Sequence, residues 1–384
     1  MRAAAADGDG LTLHLAERIT HDDNLFRISG DKDPAAYIGA PSRADTYRTV
    51  SAGLDMEVPL ARQRFQAGWL LNQDRHDRFT DLDFTGHDGR AIWLWQIDAR
   101  VSGQIGFVET VALAPFTDIQ ARLPDVLKTR RSFYTASYAM TPRWSLQAAR
   151  SRLEQRNGDP LRKASDVDID DSELTISYAT PAQNRAGLSA KEEKGYFPGR
   201  AAGISGVLDN TYSQYSAGIL VDWTLTGASR LDVRVDRVNR RYGQLPSRNF
   251  EGNTFRVAYE WRPTVKTRLE AIVQRDISAY EDIRSTFVLV RGTALQATFK
   301  ATEKIEILGT YVHSTRKYLG DPGQGLGDSP RRNDLLRSSG GKIVYRPTRA
   351  VSLQMSLQRE VRASNISGAD YRFAVISVEA GLAF

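Results

Sequence analysis

One pattern governs this chain from end to end: apolar and polar side chains alternate at every second position, in segment after segment. Thr254 to Trp261 places Phe255, Val257, Tyr259 and Trp261 on one face and Arg256, Ala258 and Glu260 on the other. Leu231, Val233 and Val235 oppose Asp232, Arg234 and Asp236 in the same way, and Gln214 to Trp223 aligns Tyr215, Ala217, Ile219, Val221 and Trp223. Successive side chains of a strand point to opposite sheet faces, so strict alternation is a strand signature. No helical spacing of comparable clarity competes with it. A membrane-spanning helix is excluded as well, because it needs ~18 apolar residues in a row. The longest charge-free run, Asn210 to Val221, has 12 residues, several of them polar.

The punctuation is regular. Short turn signals begin at Pro59, Asp98, Thr141, Pro181, Thr226, Arg262, Thr302 and Arg346, at spacings of 39, 43, 40, 45, 36, 40 and 44. Each joins a strand ending in aromatic or aliphatic residues to one opening on polar alternation. A ~40-residue period can mean a four-stranded propeller blade, but each period here holds two strands and one longer polar loop, which makes it a hairpin repeat. The longer connections are His21 to Ala44, Ala114 to Leu127, Glu154 to Asp171, Phe197 to Asn210 and Leu319 to Arg332, rich in Gly, Pro, Asp, Asn and Arg. Short turns at one end and long loops at the other is the layout of a transmembrane β-barrel. Eight short turns and one strand at each terminus predict an all-β, up-and-down antiparallel barrel of 18 strands. Strands 8, 9 and 16 alternate least clearly, which leaves 16 as the other even number.

Composition fits that reading. The 384 residues hold 41% hydrophobic and 26% charged side chains, a mixture that in a wide barrel is divided between a lipid-facing and a wet face. Thirty-five aromatics (6 Trp, 15 Tyr, 14 Phe) exclude a disordered chain, and zero cysteines exclude disulfides, a cysteine nucleophile and thiolate metal sites. The net charge is +6, and 42 of the 52 basic residues are arginine. Basic and acidic residues are interleaved throughout, without the clustering nucleic-acid binding requires. The first ten residues lack the apolar core of an intact secretory signal. They fit a flexible remnant on a mature form, ahead of a single barrel over residues 11–384.

The last strand carries the most specific local signal. Counting back by twos from Phe384 gives Leu382, Ala380, Val378, Ile376 and Ala374, an unbroken apolar face opposite Ala383, Gly381, Glu379 and Ser377. Outer-membrane barrels end on such a strand, and Phe384 is the expected signal to the barrel-assembly machinery.

A barrel this wide encloses water, so the residues opposite the apolar faces are expected inside it. They are Arg64, Gln66, Asp222, Asp232, Arg234, Asp236, Arg256, Glu260, Arg268, Glu270, Gln274, Asp276, Gln296, Lys300, Gln354 and Glu379. Mixed in sign, they would either brace the wall as ladders or contact a permeant's hydroxyls and carboxylates; the two roles are compatible. Of these, Arg64, Gln66, Asp232, Arg234, Asp236, Arg256, Glu260, Arg268, Glu270, Gln274, Lys300 and Glu379 are the candidate polymer contacts.

No catalytic, cofactor or metal constellation emerges. His14, His21, His76, His87 and His313 are scattered without ligand spacing. Asp166 to Glu173 begins like a calcium loop but has Asp171 where glycine is required and Ser177 where the final glutamate belongs. It reads as a solvated loop. Gly320 to Asp328 has no lysine and no following helix, so it reads as a mobile loop and not a phosphate cradle.

Several segments together resemble the EpsL-type outer-membrane barrels of exosortase-associated exopolysaccharide clusters in Gram-negative bacteria. They are His21-Asp22-Asp23-Asn24-Leu25-Phe26-Arg27, Arg62-Gln63-Arg64-Phe65, Trp93 to Gly103, and the aromatic-Arg-Pro-Thr turns at Trp261 and Tyr345. The resemblance implies an outer-membrane exit for a secreted polysaccharide, similar in role to alginate-export barrels. It also implies lipopolysaccharide and outer-membrane lipids as surroundings, and a separate periplasmic export lipoprotein or copolymerase as partner. Two other readings stay open: a small-solute porin with a loop folded inward, and a barrel hydrolase acting on polysaccharide or lipid.

Overall fold

In the computed structural model, residues 10–200, 209–243, 246, 249–278, 287–319 and 331–384 are described. Residues 1–9, expected to be a flexible remnant, and the Gly320–Asp328 stretch lie outside them. Eighteen antiparallel strands follow one another around a ring. They are β1 (Leu11–Asp22), β2 (Asp45–Leu60), β3 (Gln63–His76), β4 (Phe84–Gln96), β5 (Val101–Leu113), β6 (Val126–Ala139), β7 (Trp144–Asn157), β8 (Val167–Ala179) and β9 (Arg185–Tyr196). The second half comprises β10 (Thr211–Thr226), β11 (Ser229–Tyr242), β12 (Phe250–Thr264), β13 (Thr267–Ser278), β14 (Phe287–Lys300), β15 (Ile305–Leu319), β16 (Asn333–Tyr345), β17 (Val351–Ser364) and β18 (Tyr371–Ala383). The expected count of 18 is met, strands 8, 9 and 16 included.

The ring closes where β18 pairs with β1, with Leu382 opposite Leu15 and Val378 opposite Ile19. Phe384 finishes the seam: its carbonyl accepts the Leu13 N–H at 2.7 Å and its own N–H donates to the Leu13 carbonyl at 3.1 Å. Closure leaves every strand with two neighbours and no unpaired edge, the condition for a sheet to sit in hydrocarbon. Phe384 points outward and is 63% exposed.

Recurrent threonines explain several of the eight short turns. The Oγ1 of Thr141 accepts from the N–H groups of Arg143 and Trp144, that of Thr264 from Lys266 and Thr267, and that of Thr302 from Lys304 and Ile305. Thr348 does the same for Val351. A hydroxyl that bonds the backbone two or three residues on fixes a turn locally, so the Arg-Pro-Thr motif encodes strand reversal.

One connection departs from expectation. Glu154 to Asp171 is half strand, with only residues 158–166 between β7 and β8. Asp168 and Asp170 face outward against Arg152 and Arg156, with Asp168 2.6 Å from Arg156 and Asp170 3.5 Å from Arg152, while Asp171 faces inward and accepts from Ser151. The acidic run that reads as a solvated loop is half of a cross-strand charge ladder.

Large apolar side chains cover the outer wall and stay exposed, including Leu54, Trp93, Trp144, Trp261, Phe299, Tyr345 and Val378. The buried core lies elsewhere, at the long-loop end. There Leu25, Phe26, Ile28, Ile38, Ala40, Phe79 and Leu82 form one cluster, with Tyr47, Leu113 and Phe116 packed against it. Phe26 is fully buried and meets Phe79 and Phe116 edge-on at 4.7 and 4.8 Å. The β1–β2 loop contributes a short helix, α1 (Pro34–Ile38), capped by Asp33 and ended by Gly39 in the left-handed region at φ 68°.

Candidate functional site

Contacts that skip strands identify the inner face. Arg234 of β11 reaches Glu173 of β8 at 2.8 Å, and Arg90 of β4 reaches Asp55 of β2 at 2.6 Å. Side chains converge like this only on the concave side of a sheet. The pairing registers then place every residue of the same parity in the lumen, including Arg64, Gln66, Asp222, Asp232, Arg234, Asp236, Arg256, Glu260, Arg268, Glu270, Gln274, Asp276, Gln296, Lys300, Gln354 and Glu379.

Two charged walls confront each other halfway around the ring. On β10–β13, Asp222 holds Arg230, Asp232 holds Arg256 at 3.2 Å, and Asp236 holds Arg234 at 2.9 Å. Nearer the short-turn end Glu260 binds Arg262 at 2.7 Å and Arg268 at 2.6 Å, and Glu270 shares Arg268 at 3.3 Å. On the opposite wall Glu57 takes Arg64 at 3.4 Å and Gln66 at 3.1 Å, and Asp55 takes His14 at 3.0 Å beside Arg90. Glu379 accepts from Gln354 at 2.8 Å and lies 3.9 Å from Arg18. Gln274, Gln296 and Lys300, by contrast, have no side-chain partner among the described residues, and Lys300 stands opposite Glu306. Between the charged walls, β5–β7 line the lumen mainly with hydroxyls and amides. Beside Arg64 an open depression of ≈ 500 Å³ is bounded by Gln96, Ser102, Gln104, Thr135 and Gln147.

The lumen is rich in arginine without being basic. On the described strands, inward carboxylates slightly outnumber inward Lys and Arg, whereas outward Lys and Arg exceed outward carboxylates more than twofold. The chain's positive surplus therefore lies on the outside of the barrel.

The mouth is bridged. The β5–β6 loop carries the one-turn helix α2 (Phe116–Ile119), whose Thr117 carbonyl accepts from the inward-facing Arg362 of β17 at 3.0 Å. β17 lies six strands around the ring from β5, so this loop folds over the opening. Gln120 donates to the Arg27 carbonyl at 2.8 Å, and Arg27 stacks 3.5 Å above the Phe373 ring of β18. Arg362 also donates to the Ala369 carbonyl at 2.7 Å and lies over Tyr371. A second aromatic cluster braces the far side: Arg240, 2% exposed, donates to Gln214 at 2.8 Å and lies 4.3 Å over the Tyr212 ring. Glycine at 195 lets that ring lie against the backbone, because a Cβ there would stand 2.0 Å from it. Sequence reading missed these mouth residues. The Leu25-Phe26-Arg27 segment was the one signal available, and only as a resemblance.

A loop-to-loop clasp adds a pH dependence. Arg122 donates to both Asp81 oxygens, at 3.0 and 2.6 Å, and to the Ile38 carbonyl at 3.2 Å. These hydrogen bonds hold the Asp81 carboxyl below its ordinary 3.8, against the opposing effect of burial. A lowered carboxylate contributes stability that is complete above its unfolded value and is lost only as pH falls through its folded one. Single-channel noise from mouth motion should thus stay constant on acidification from neutrality to pH 5 and rise only below the ordinary carboxylate range. An Arg122→Gln variant should show the raised noise already at neutral pH.

Three histidines do meet carboxylates: His14 on Asp55, His87 on Glu109 at 3.0 Å, and His76 3.7 Å from Asp83. His21 instead bonds Thr46 at 2.9 Å. No histidine joins a hydroxyl to a carboxylate among the described residues, so no nucleophilic relay is assembled there. Nor is there a metal-binding group of His, Asp and Glu among those residues.

Residues 208–384 match the family described as "Putative beta-barrel porin 2". No curated protein matches the chain. Among solved structures it is similar to OccK2 (OpdF) of Pseudomonas aeruginosa, at TM-score 0.53 and 11% identity over 97% of this chain and 98% of that one. OccAB3 of Acinetobacter baumannii gives 0.52 and 11% over 97% and 99%, and the outer membrane protein OpdK of P. aeruginosa 0.51 and 10% over 97% and 99%. Across nearly its whole length, the chain has the closed 18-stranded fold of outer-membrane porins.

Proposed function

We propose that this protein is a passive outer-membrane pore for small, polar, sugar-like solutes. The observation that carries the reading is the bridged mouth above a polar lumen: the β5–β6 loop reaches Arg362 across the opening while the wall beneath stays lined by hydroxyls, amides and paired charges. The loop limits the size that enters. The neutralised walls let a polar solute exchange hydrogen bonds with water, Gln274, Gln296 and Lys300 without being trapped by a field of one sign. OccK2, which shares the fold, has been crystallised in complex with glucuronate, a solute of the hydroxyl-and-carboxylate class that such a lumen suits.

In planar bilayers the purified protein should conduct, with a weak preference for cations because inward carboxylates are in slight excess. Strong anion selectivity would refute the charge assignment. Liposome swelling should fall steeply from monosaccharides to short oligosaccharides.

Export of a secreted polysaccharide is the second reading. It is favoured by the resemblance to EpsL-type barrels and by the hydroxyl- and amide-rich inner face of β5–β7. It requires the mouth loops to swing aside and a periplasmic export partner to deliver the chain. Polymer trapped in the periplasm of a deletion strain, with small-solute uptake normal, would decide for export. Arg64, Arg234, Arg256, Arg268 and Lys300 would then meet hydroxyls or uronate carboxylates along the path.

A further inference from the structure

The positive surplus outside the barrel is concentrated on one wall. From β13 to β18 the outward face carries Arg275, Arg291, Lys317, Arg337, Arg359 and Arg372, and among the described residues it carries no aspartate or glutamate. Elsewhere on the outside, most arginines have partners, Arg150 and Arg241 being the exceptions among the described residues. Arg152 and Arg156 face Asp168 and Asp170, Arg130 lies 2.5 Å from Glu109, and Arg237 is 2.7 Å from Glu251. Arg275 and Arg291 stand directly opposite each other on adjacent strands, a like-charge pair that destabilises a sheet unless an anion lies between. The Arg275 Nε is buried without a hydrogen-bond partner.

Arg275, Arg291, Arg337 and Arg359 share one height, eight or nine residues from the short-turn ends of their strands, with Lys317 and Arg372 further towards the long loops. Arg275 follows Leu269, Ala271 and Val273 up its strand, and Arg359 follows Leu353, Met355 and Leu357. From the outward aromatic Phe299 at the short-turn end to Arg291 is eight residues. At ~3.3 Å per residue and a ~40° tilt that is about 20 Å of height, close to the span of an outer-membrane apolar band. The guanidiniums therefore lie where the hydrocarbon gives way to headgroups on the long-loop side.

We infer that the outward β13–β18 wall is a docking surface for the phosphorylated glucosamine headgroup of lipopolysaccharide, with Arg275, Arg291, Arg337 and Arg359 as phosphate ligands. Arginine's planar fork binds phosphate bidentately. The apolar outward residues directly below receive the acyl chains of the same molecule, and the missing carboxylates remove the repulsion that any anionic lipid would otherwise meet. This inference rests on the membrane-spanning reading above, and its test separates the two.

The full chain, folded in detergent, is titrated with lipopolysaccharide, with the same lipopolysaccharide after phosphatase treatment, and with phosphatidylglycerol. Retention is read by native mass spectrometry. The quadruple variant R275Q/R291Q/R337Q/R359Q is compared with wild type and with the corresponding Arg→Lys variant. Expected are retention of intact lipopolysaccharide by wild type, at least tenfold weaker retention after dephosphorylation or in the Gln variant, and partial rescue by lysine. Without lipid the Gln variant should melt no lower than wild type, because removing Arg275 and Arg291 relieves their repulsion. Equal retention by wild type and Gln variant would overturn the inference, as would a change in protomer number in the variant without lipid, which would make this wall a contact between copies. If wild type conducts in bilayers yet retains no lipopolysaccharide, the pore reading stands and this one falls. If it does not conduct, the pore reading falls independently.

Discussion

Phe26→Ala should cost the mouth cluster about 3–5 kcal/mol, the usual penalty for emptying a buried aromatic site. Phe26 has no solvent exposure and is gripped edge-on by Phe79 of the β3–β4 loop and Phe116 of α2, so its loss separates three loops at once. The barrel wall is held by its own ladder of backbone bonds and need not follow. The expected result is local unfolding at the long-loop end: protease cuts within residues 23–44 and 114–125 at concentrations that leave wild type intact, with the barrel's thermal melt nearly unmoved. Conductance should rise and become noisy. A variant whose whole barrel melts early would show instead that the cluster supports the wall.

Arg362→Gln should open the same mouth from the other side. The guanidinium donates to the carbonyls of Thr117 and Ala369, and these charge-assisted bonds are worth ~1.5–3 kcal/mol each when a buried donor is removed. Asp334, 3.9 Å from Arg362, keeps Arg332 at 2.8 Å and the Tyr318 hydroxyl at 3.1 Å, so no buried carboxylate is orphaned. The effect should therefore concentrate on the β5–β6 loop. Open-channel conductance should increase, and oligosaccharides that wild type excludes should swell proteoliposomes. Unchanged size exclusion would mean that the loop does not set the limit.

Much of this architecture was legible in the sequence because a strand's two faces are written two residues apart. Trp261 and Arg256 declare opposite sides of β12 before any partner is known, and the Thr hydroxyls of the short turns act within three residues of themselves. The strand count, the loop asymmetry and the lumen parity of Arg64, Arg234 and Glu260 all follow from such local rules. The Asp166–Glu173 run misled because an acidic stretch looks the same whether water or a neighbouring arginine neutralises it.

What the sequence by itself determined was the period, the number of strands and the side each residue faces, since these depend on pleat geometry and turn chemistry within a hairpin. Only the tertiary structure decided which charges meet and what lies over the opening. Arg234 and Glu173 are 61 residues apart, and Arg362 reaches Thr117 across 245. Such contacts exist because closure of the ring curves the sheet and brings distant inward side chains together. The same closure turns a chain of net charge +6 into a balanced lumen and a basic outer wall.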